Sequence, residues 1–526
     1  MASKTMNGNN IKIFGDYQTP LYFAKEVCSL IKKQHNIAPE FIIEPNCGLG
    51  NFLVAAQEVF TTSTLFGFDI SKEYVKATKN RLPHFAQNII CNDLLKNNVR
   101  NFMDIKPSSE VLIIGNPPWA TNSQISKISG NNLPKKTNLK NFSGLDCKMG
   151  SSNFDICEYM ILRLIQDFSD ANTTFGILCK QSVARNVFEE FAKNKIKCSD
   201  FRMYNFDTRK VFNVGVDACL LLFKISTNAH CLNQCNIYDF DNPSNIISTL
   251  NYANKKMYSC LDKNSINLDG RCCFEWRQGI KHDCASVMEL KKSDKIYINK
   301  QNQRLELEDT FIYPLVKSSD IKSMQLDKID RYVIVTQKKP RENTAKIQTI
   351  APKTWDYLNS HIYEFQKRKS VIYKDSPNFA MFGVGEYSFK KYKVAISGFY
   401  KIPLFSLIST DRAVMLDDTC YFLSFDSFNE AYMMMLLLNS KPVQNFLTSI
   451  AFLNSKRPYT KKILQRIDIK KAFENTVFDE LRKIETTLKN PPYFTKEMYD
   501  ELRNLVFDLD KKNAETELQY YNTKGA

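Results

Sequence analysis

Short apolar runs, each closed by a polar residue, recur at nearly constant spacing early in the chain. Phe41-Ile42-Ile43 ends in Glu44, Leu65 to Phe68 ends in Asp69, Asn88 to Cys91 leads to Asp93, and Val111 to Ile114 leads to Asn116. The closing positions 44, 69, 93 and 116 lie 25, 24 and 23 residues apart. Continuous apolar runs of this length read as strands buried on both faces. Between them, Asn51 to Val59 and Ser71 to Asn80 carry helical spacing, with Ser71 as a candidate cap. Strands alternating with helices predict a parallel sheet. Right-handed crossovers then bring all four polar ends to one edge, where such sheets bind ligands.

Beyond the fourth run the pattern loosens. Residues 120–153 are rich in Asn, Ser, Lys and Gly and read as a long loop beside that edge. Phe154 to Phe168 reads as a helix, and Thr174 to Leu178 and Ala218 to Phe223 as further strands. Periodicity fades from about 225 to 265, which we take as the passage between domains. Residues 266–470 mix short strands with basic loops, and 473–518 show Lys/Glu-rich helical spacing. The expected organisation is a catalytic domain over 1–245, a second domain over 246–475 and a helical tail over 476–526.

Charge sharpens the picture. The 526 residues carry a net charge of +16. Residues 1–250 hold 27 basic and 22 acidic groups, and the remainder 45 and 34. The C-terminal half is the more basic, as expected of a protein that meets a polyanion. Its clusters Lys338-Lys339-Pro340-Arg341, Lys367-Arg368-Lys369, Lys390-Lys391 and Lys456-Arg457-Pro458 fall in expected loops. Such side chains mostly meet phosphates rather than bases. No window approaches the ~18 apolar residues of a membrane span, and Tyr432 to Leu438 reads as buried helix. Fifteen cysteines without framework spacing, and a start lacking an apolar leader core, predict a reducing, cytoplasmic setting. His230, Cys231, Cys235, Cys272, Cys273, His282 and Cys284 contain no Cys-x2-Cys pair, so no metal site is assigned.

Two segments carry chemistry. Glu44-Pro45-Asn46-Cys47-Gly48-Leu49-Gly50 follows the first strand and opens a helix. Gly48 and Gly50 admit a ligand close to the backbone. Asp69, ending the next strand, stands where nucleotide-binding sheets place a ribose partner. Position 53 is Leu, so the dinucleotide fingerprint lacks its third glycine. The loop suits a nucleoside without phosphates, such as S-adenosylmethionine, with Glu44 facing its amino group.

The second segment is Asn116-Pro117-Pro118-Trp119. It offers a side-chain amide oxygen and a proline carbonyl as acceptors, beside a flat ring. Paired prolines hold the chain extended. Two acceptors that take both hydrogens of a ring amine favour a pyramidal nitrogen with its lone pair free for methyl transfer. The exocyclic amine of adenine fits.

Gly15-Asp16-Tyr17-Gln18-Thr19-Pro20, the Glu44–Gly50 loop, Asp69, Asp93 and Asn116–Trp119, in that order, resemble the gamma-class amino DNA methyltransferases of restriction–modification systems, which are mostly adenine-N6-specific. The motif match covers about residues 15–223. Glu275 to His282 and Arg331 to Pro340 look similar to recognition regions of such enzymes, with less specificity. The resemblance implies an α/β, Rossmann-like S-adenosylmethionine-dependent catalytic domain with a mainly parallel sheet, followed by a mixed α+β target-recognition domain. It implies that Tyr17, Thr19 and Pro20 pack around the methionine end of the cofactor. Glu44, Pro45, Asn46, Cys47, Gly48 and Gly50 cradle it, Asp69 holds its ribose, and Asp93 and Leu94 meet its adenine. Asn116 and the Pro117 carbonyl bind the target amine, with Pro118 fixing the turn. Trp119 stacks on the target base, and Phe212, with Phe206 as runner-up, meets its other face. Trp119 replaces the commoner Tyr.

The expected partners are double-stranded DNA and a cognate restriction endonuclease acting at the same site, with the enzyme a monomer. An N4-cytosine methyltransferase remains an alternative, although that group usually begins its tetrapeptide with Ser or Thr. RNA or protein amide methyltransferases are another; the protein-glutamine enzymes share Asn-Pro-Pro-aromatic but are much shorter and lack a large basic C-terminal region. A non-catalytic DNA-binding subunit would not need both motifs intact.

Overall fold

The computed structural model describes residues 17–120, 155–226, 229–259, 266–294, 296–326, 328–453, 455–489 and 493–524. Gly15, Asp16 and all but the first residue of the loop expected over 120–153 lie outside them. The chain forms two units, Met1–Cys260 and Leu261–Ala526.

The first unit is built on one large sheet. Its strands are β1 (Phe41–Glu44), β2 (Thr64–Asp69), β3 (Ile89–Cys91), β4 (Glu110–Gly115), β5 (Asn172–Lys180), β6 (Lys197–Phe206), β7 (Ala218–Ile225), β8 (His230–Cys231), β9 (Gln234–Asp239), β10 (Ile246–Ala253) and β11 (Lys256–Tyr258). They lie in the order β11-β10-β9-β6-β7-β5-β4-β1-β2-β3, with β8 beside β6. β1 to β5 are mutually parallel, and β7 runs antiparallel between β5 and β6. The chain winds outward from β1 to β3, then returns to β4 on the other side of β1. That reversal opens a crevice at the carboxyl ends of β1 and β4.

Local chemistry sets the helices that follow these strands. Gly50, at φ 75°, turns the chain from β1 into α2 (Asn51–Val59). Ser71 Oγ accepts the Tyr74 amide at 3.3 Å and caps α3 (Lys72–Arg81). α1 (Leu21–His35) buries Phe23, Val27 and Ile31 under the sheet's core cluster. α4 (Ile156–Asp167) precedes β5, and α5 (Gln181–Asn194) sets Phe188 and Phe191 against Phe201. A short α6 (Thr208–Phe212) precedes β7.

The sheet extends further than the sequence pattern suggests. β9, β10 and β11 were expected to lie across a domain passage, with the boundary at 245. Instead β10 pairs antiparallel with both β9 and β11 inside the first unit. Their residues interleave Asn, Ser, Thr and Gln, and the first three residues of β10 are exposed. Half-wet strands near a sheet edge do not show the continuous apolar signature of buried ones.

The second unit is mixed α+β. One sheet runs β12 (Arg277–Gln278), β21 (Cys420–Phe425), β18 (Tyr392–Ser397) and β19 (Phe405–Ser409). Another runs β15 (Arg304–Leu305), β14 (Ile296–Asn299), β13 (Glu289–Ser293), β17 (Arg331–Ile334), β16 (Ile312–Val316) and β20 (Met415–Leu416). The expected buried helix is present as Phe428–Leu438, with every residue from Ala431 onward buried. The tail is helical, ending in Lys496–Lys524. Among the described residues, no helix is long and apolar enough to cross a membrane.

β18 holds a lysine two positions beyond the Lys390-Lys391 cluster. Lys393 is fully buried, and its Nζ donates to the Lys390 carbonyl. Burial pulls its ammonium down to about 7. Keeping it charged at low pH costs roughly 3–5 kcal/mol. Between about pH 7 and 10.5 the unfolded chain binds the proton that the folded chain has released, so stability rises with pH across that window. Lys393→Met should therefore raise the urea midpoint at neutral pH, with a gain that shrinks by about pH 9.5. A variant no more stable than wild type at neutral pH would contradict this.

Candidate active site

The polar ends of β1 to β4 fall along one edge of the sheet, with Glu44 and Asn116 at the crevice between β1 and β4. The Glu44–Gly50 loop is held there from three sides. Asp69, at the end of β2, accepts the Gly48 amide on Oδ2 at 2.9 Å and the Ser71 amide on Oδ1 at 2.8 Å. Thr78 Oγ1, on α3, donates to the Gly48 carbonyl at 2.9 Å. Arg81 donates to the Leu49 carbonyl and to Asn51 Oδ1. Gly48 and Gly50 have φ of 49° and 75°. A Cβ on Gly50 would fall 2.5 Å from Thr78 Cγ2, so both conformation and space require glycine there.

The Tyr17–Pro20 segment is strapped to this loop. Gln18 Oε1 accepts the Leu49 amide at 3.0 Å, and Asn51 Nδ2 donates to the Thr19 carbonyl at 2.7 Å. Gln18, Thr78 and Arg81 escaped assignment from sequence. Gln18 lay inside a motif already noted, whereas Thr78 and Arg81 are ordinary residues of a helix face and carried no signal.

Among the described residues, several buried acceptors in this crevice have no hydrogen-bond partner: Thr19 Oγ1, Glu44 Oε2, Asn46 Oδ1 and Asn116 Oδ1. Orphaned polar atoms inside a fold are costly, and they mark places where a ligand belongs. Glu44 is only 3 % exposed, and burial first, then the nearby Asp69 charge, pushes its carboxyl well above the usual range. A cationic group would relieve it. Glycines, unpaired acceptors and a buried acid together fit a cationic nucleoside such as S-adenosylmethionine. Asp93 and Leu94 follow β3. Asp93 Oδ1 accepts the Leu95 amide at 3.1 Å, its Oδ2 lies 3.1 Å from Lys96 Nζ, and Leu94 is buried.

Asn116 follows β4 and is the best-defined side chain of the tetrapeptide. Its Nδ2 donates to the Tyr17 carbonyl at 2.8 Å. Turning the amide over would set two oxygens face to face, so this bond fixes its orientation. Among the described residues nothing pairs with the buried Oδ1. Pro117 is buried and Pro118 half-buried.

The aromatic residues converge differently from the expected base sandwich. Trp119 is 5 % exposed, and its Nε1 donates to the Leu178 carbonyl at 3.4 Å. Its ring meets Phe212 edge-on, with centroids 5.4 Å apart, and Tyr17 at 5.8 Å. A base between two parallel rings needs about 7 Å, two carbon contact distances. Trp119 and Phe212 therefore touch each other in this state. Phe206 is half-buried and packs on Phe23, Phe240 and Phe212 at centroid distances of 4.9, 6.2 and 6.2 Å.

In the second unit, the basic clusters differ among themselves. Arg368 turns inward, donating to the Ala380 carbonyl at 2.6 Å and lying 3.8 Å over the Tyr373 ring. Arg457 lies 5.1 Å over the Phe399 ring. Lys338, Lys339 and Arg341 stay exposed around a turn tied by Glu342. Trp276, within the segment noted as similar to recognition regions, is fully buried. Gly383 has φ of 69°, and a Cβ there would fall 2.5 Å from the Gly279 carbonyl oxygen, so the Gly383–Gly385 turn is a close backbone crossing. The seven His and Cys residues noted earlier divide between the two units.

No family model matches the chain. A relative from Nostoc sp., the type II methyltransferase M.NspV, is 40% identical over 470 residues, which is 87% of this chain and 96% of that protein. Among solved structures, the type IIL restriction–modification enzyme MmeI, determined in complex with DNA, matches 95% of this chain and 74% of its own with a TM-score of 0.52 at 12% identity. That likeness concerns the fold alone. The extent of the Nostoc match, together with the strand order and the site at the β1/β4 crevice, settles the family: the chain belongs to the type II methyltransferases of restriction–modification systems, with S-adenosylmethionine as methyl donor.

Proposed function

We propose that this protein transfers a methyl group from S-adenosylmethionine to the N6 amine of an adenine flipped out of duplex DNA, at a specific site, and so protects that site from a cognate restriction endonuclease. The reading rests above all on Asn116, whose amide is anchored through Nδ2 and left with a buried, unpaired Oδ1. The cofactor supplies an electrophilic methyl group. Glu44 would hold its ammonium, Asp69 its ribose hydroxyls, and Asp93 its adenine amine, while Gly48 and Gly50 would let it approach the backbone. Tyr17, Thr19 and Pro20 close over its methionine end, Pro45, Asn46 and Cys47 complete the loop, and Leu94 packs beside its adenine.

Asn116 Oδ1 and the Pro117 carbonyl accept the two amine hydrogens, which turns the nitrogen lone pair toward the methyl group. Ideal positioning of this kind contributes up to ~7–11 kcal/mol. When bound, the cofactor would supply its sulfonium methyl group to that nitrogen, and one amine proton would leave to solvent. No covalent enzyme intermediate arises, so no cysteine is required. Because the base must leave the duplex and the Trp119–Phe212 contact is closed, Phe212 moves aside as the base enters and then covers its second face.

Asn at position 116 favours adenine over the N4-cytosine alternative. The test is to express the protein in a host without adenine methylation and map modified positions by sequencing of native DNA. One short sequence motif modified at adenine is expected. Modification at cytosine would overturn the base assignment, and an unmodified genome would overturn the reading.

A further inference from the structure

The hairpin joining β18 and β19 carries an exposed apolar tip for which the fold itself has no use. Phe399 and Tyr400 are each 37 % exposed and Ile402 is 76 % exposed, three large apolar side chains within four positions. Scattered exposed hydrophobics are ordinary, but a cluster at one projecting point is not. The tip is also stiff. The Gly398 amide donates to the Thr419 carbonyl at 2.9 Å. The fully buried Tyr459 donates its hydroxyl to the Lys401 carbonyl at 2.7 Å. Asn439 Nδ2 donates to the Phe405 carbonyl at 2.8 Å, and its Oδ1 accepts the Phe405 amide at 3.1 Å. Pro403 is buried and holds Ile402 extended.

Cations surround the tip. Lys401 is exposed within it, Arg457 covers the Phe399 face, and exposed Lys456 precedes Arg457. Asp418, the acid facing Arg457 at 3.6 Å, also lies 4.0 Å from Lys281. A rigid apolar point ringed by lysine and arginine matches the chemistry of a nucleic acid duplex, with phosphates outside and stacked apolar bases within. A second protein copy would match the apolar point but not the cations.

We propose that Tyr400 and Ile402 form a wedge that enters duplex DNA between two base pairs and unstacks them, while Lys401 and Lys456 hold the flanking phosphates. This rests on the reading of DNA as the partner. Apolar side chains driven between base steps unstack and kink a duplex, at a cost of a few kcal/mol per step offset by the added contacts. Ile402 is the leading residue, being the most exposed, and Tyr400 follows with a ring able to cover a base face.

The test uses the full-length protein and a duplex containing the sequence that it methylates, with 2-aminopurine placed at each step in turn. Wild type should raise the fluorescence at one step besides the methylated adenine. Tyr400→Ser/Ile402→Ser should abolish that rise and weaken binding about tenfold, with an unchanged salt slope and melting temperature. Lys401→Ala should do the reverse, lowering the salt slope by about one phosphate contact while keeping the fluorescence rise. Wild-type methylation with no such rise, or a rise that survives in the double variant, would overturn the wedge and leave the methyltransferase reading intact. A wild-type dimer that the double variant dissolves would overturn it in favour of self-association. Failure of wild type to methylate any duplex would overturn both.

Discussion

Asn116→Ala is expected to slow single-turnover methyl transfer by at least about 10²–10³-fold, as removal of one preorganised polar contact to a reacting centre does. Cofactor affinity should change less, because Asn116 is proposed to bind the target amine and reaches the cofactor segment through one bond, to the Tyr17 carbonyl. The substitution removes both functions of the amide: the anchor at Nδ2 and the free acceptor at Oδ1. Asn116→Asp separates them. A carboxylate keeps an acceptor but sets an oxygen against the Tyr17 carbonyl, so the side chain turns away from its anchored position. The aspartate variant should therefore also be strongly impaired. Rapid-quench kinetics with saturating cofactor and DNA check this, and an aspartate variant close to wild type would show that the anchor has no role.

Asp69→Ala should have the second large effect, on cofactor binding. The carboxylate accepts two backbone amides, one from Gly48 in the loop and one from Ser71 at the start of α3. Removing it leaves those donors unpaired, at ~1–3 kcal/mol each when buried, and takes away the proposed ribose contact. Calorimetry should show the cofactor Kd rising about a hundredfold or more. The thermal stabilisation by cofactor should shrink accordingly, since it scales as RT ln(1 + [L]/Kd). An affinity within about threefold of wild type would place the ribose elsewhere. Asp69→Asn, which retains one accepting oxygen, should fall between.

Much of this site is legible in the sequence because parallel strands advertise themselves. β1, β2 and β4 are buried on both faces, so their apolar runs are continuous and the polar residue that ends each one stands out. Glu44, Asp69 and Asn116 are found that way, and Ser71 by its place before a helix. The contacts that hold the loop are not found so easily. Thr78 and Arg81 act through backbone carbonyls 30 and more positions away, and nothing in their own neighbourhood distinguishes them. The edge strands β9 to β11 are hidden by their mixed polarity. Trp119 and Phe212 lie edge-on with centroids 5.4 Å apart, a contact that depends on ring orientation, which spacing does not encode. Lys393 and Arg368 show the reverse difficulty in the second unit. Arg368 belongs to a cluster expected in a loop and Lys393 follows another, and both turn inward, where Lys393 meets a carbonyl and Arg368 a tyrosine ring and carbonyls.

The most direct test of the account is nucleoside mass spectrometry. Unmodified duplex DNA would be incubated with S-adenosylmethionine and either the wild-type protein or Asn116→Ala, then digested. N6-methyladenine is expected from wild type, with a rate of formation at least about 10²-fold lower from the variant. N4-methylcytosine from wild type, or equal N6-methyladenine from both proteins, would contradict it.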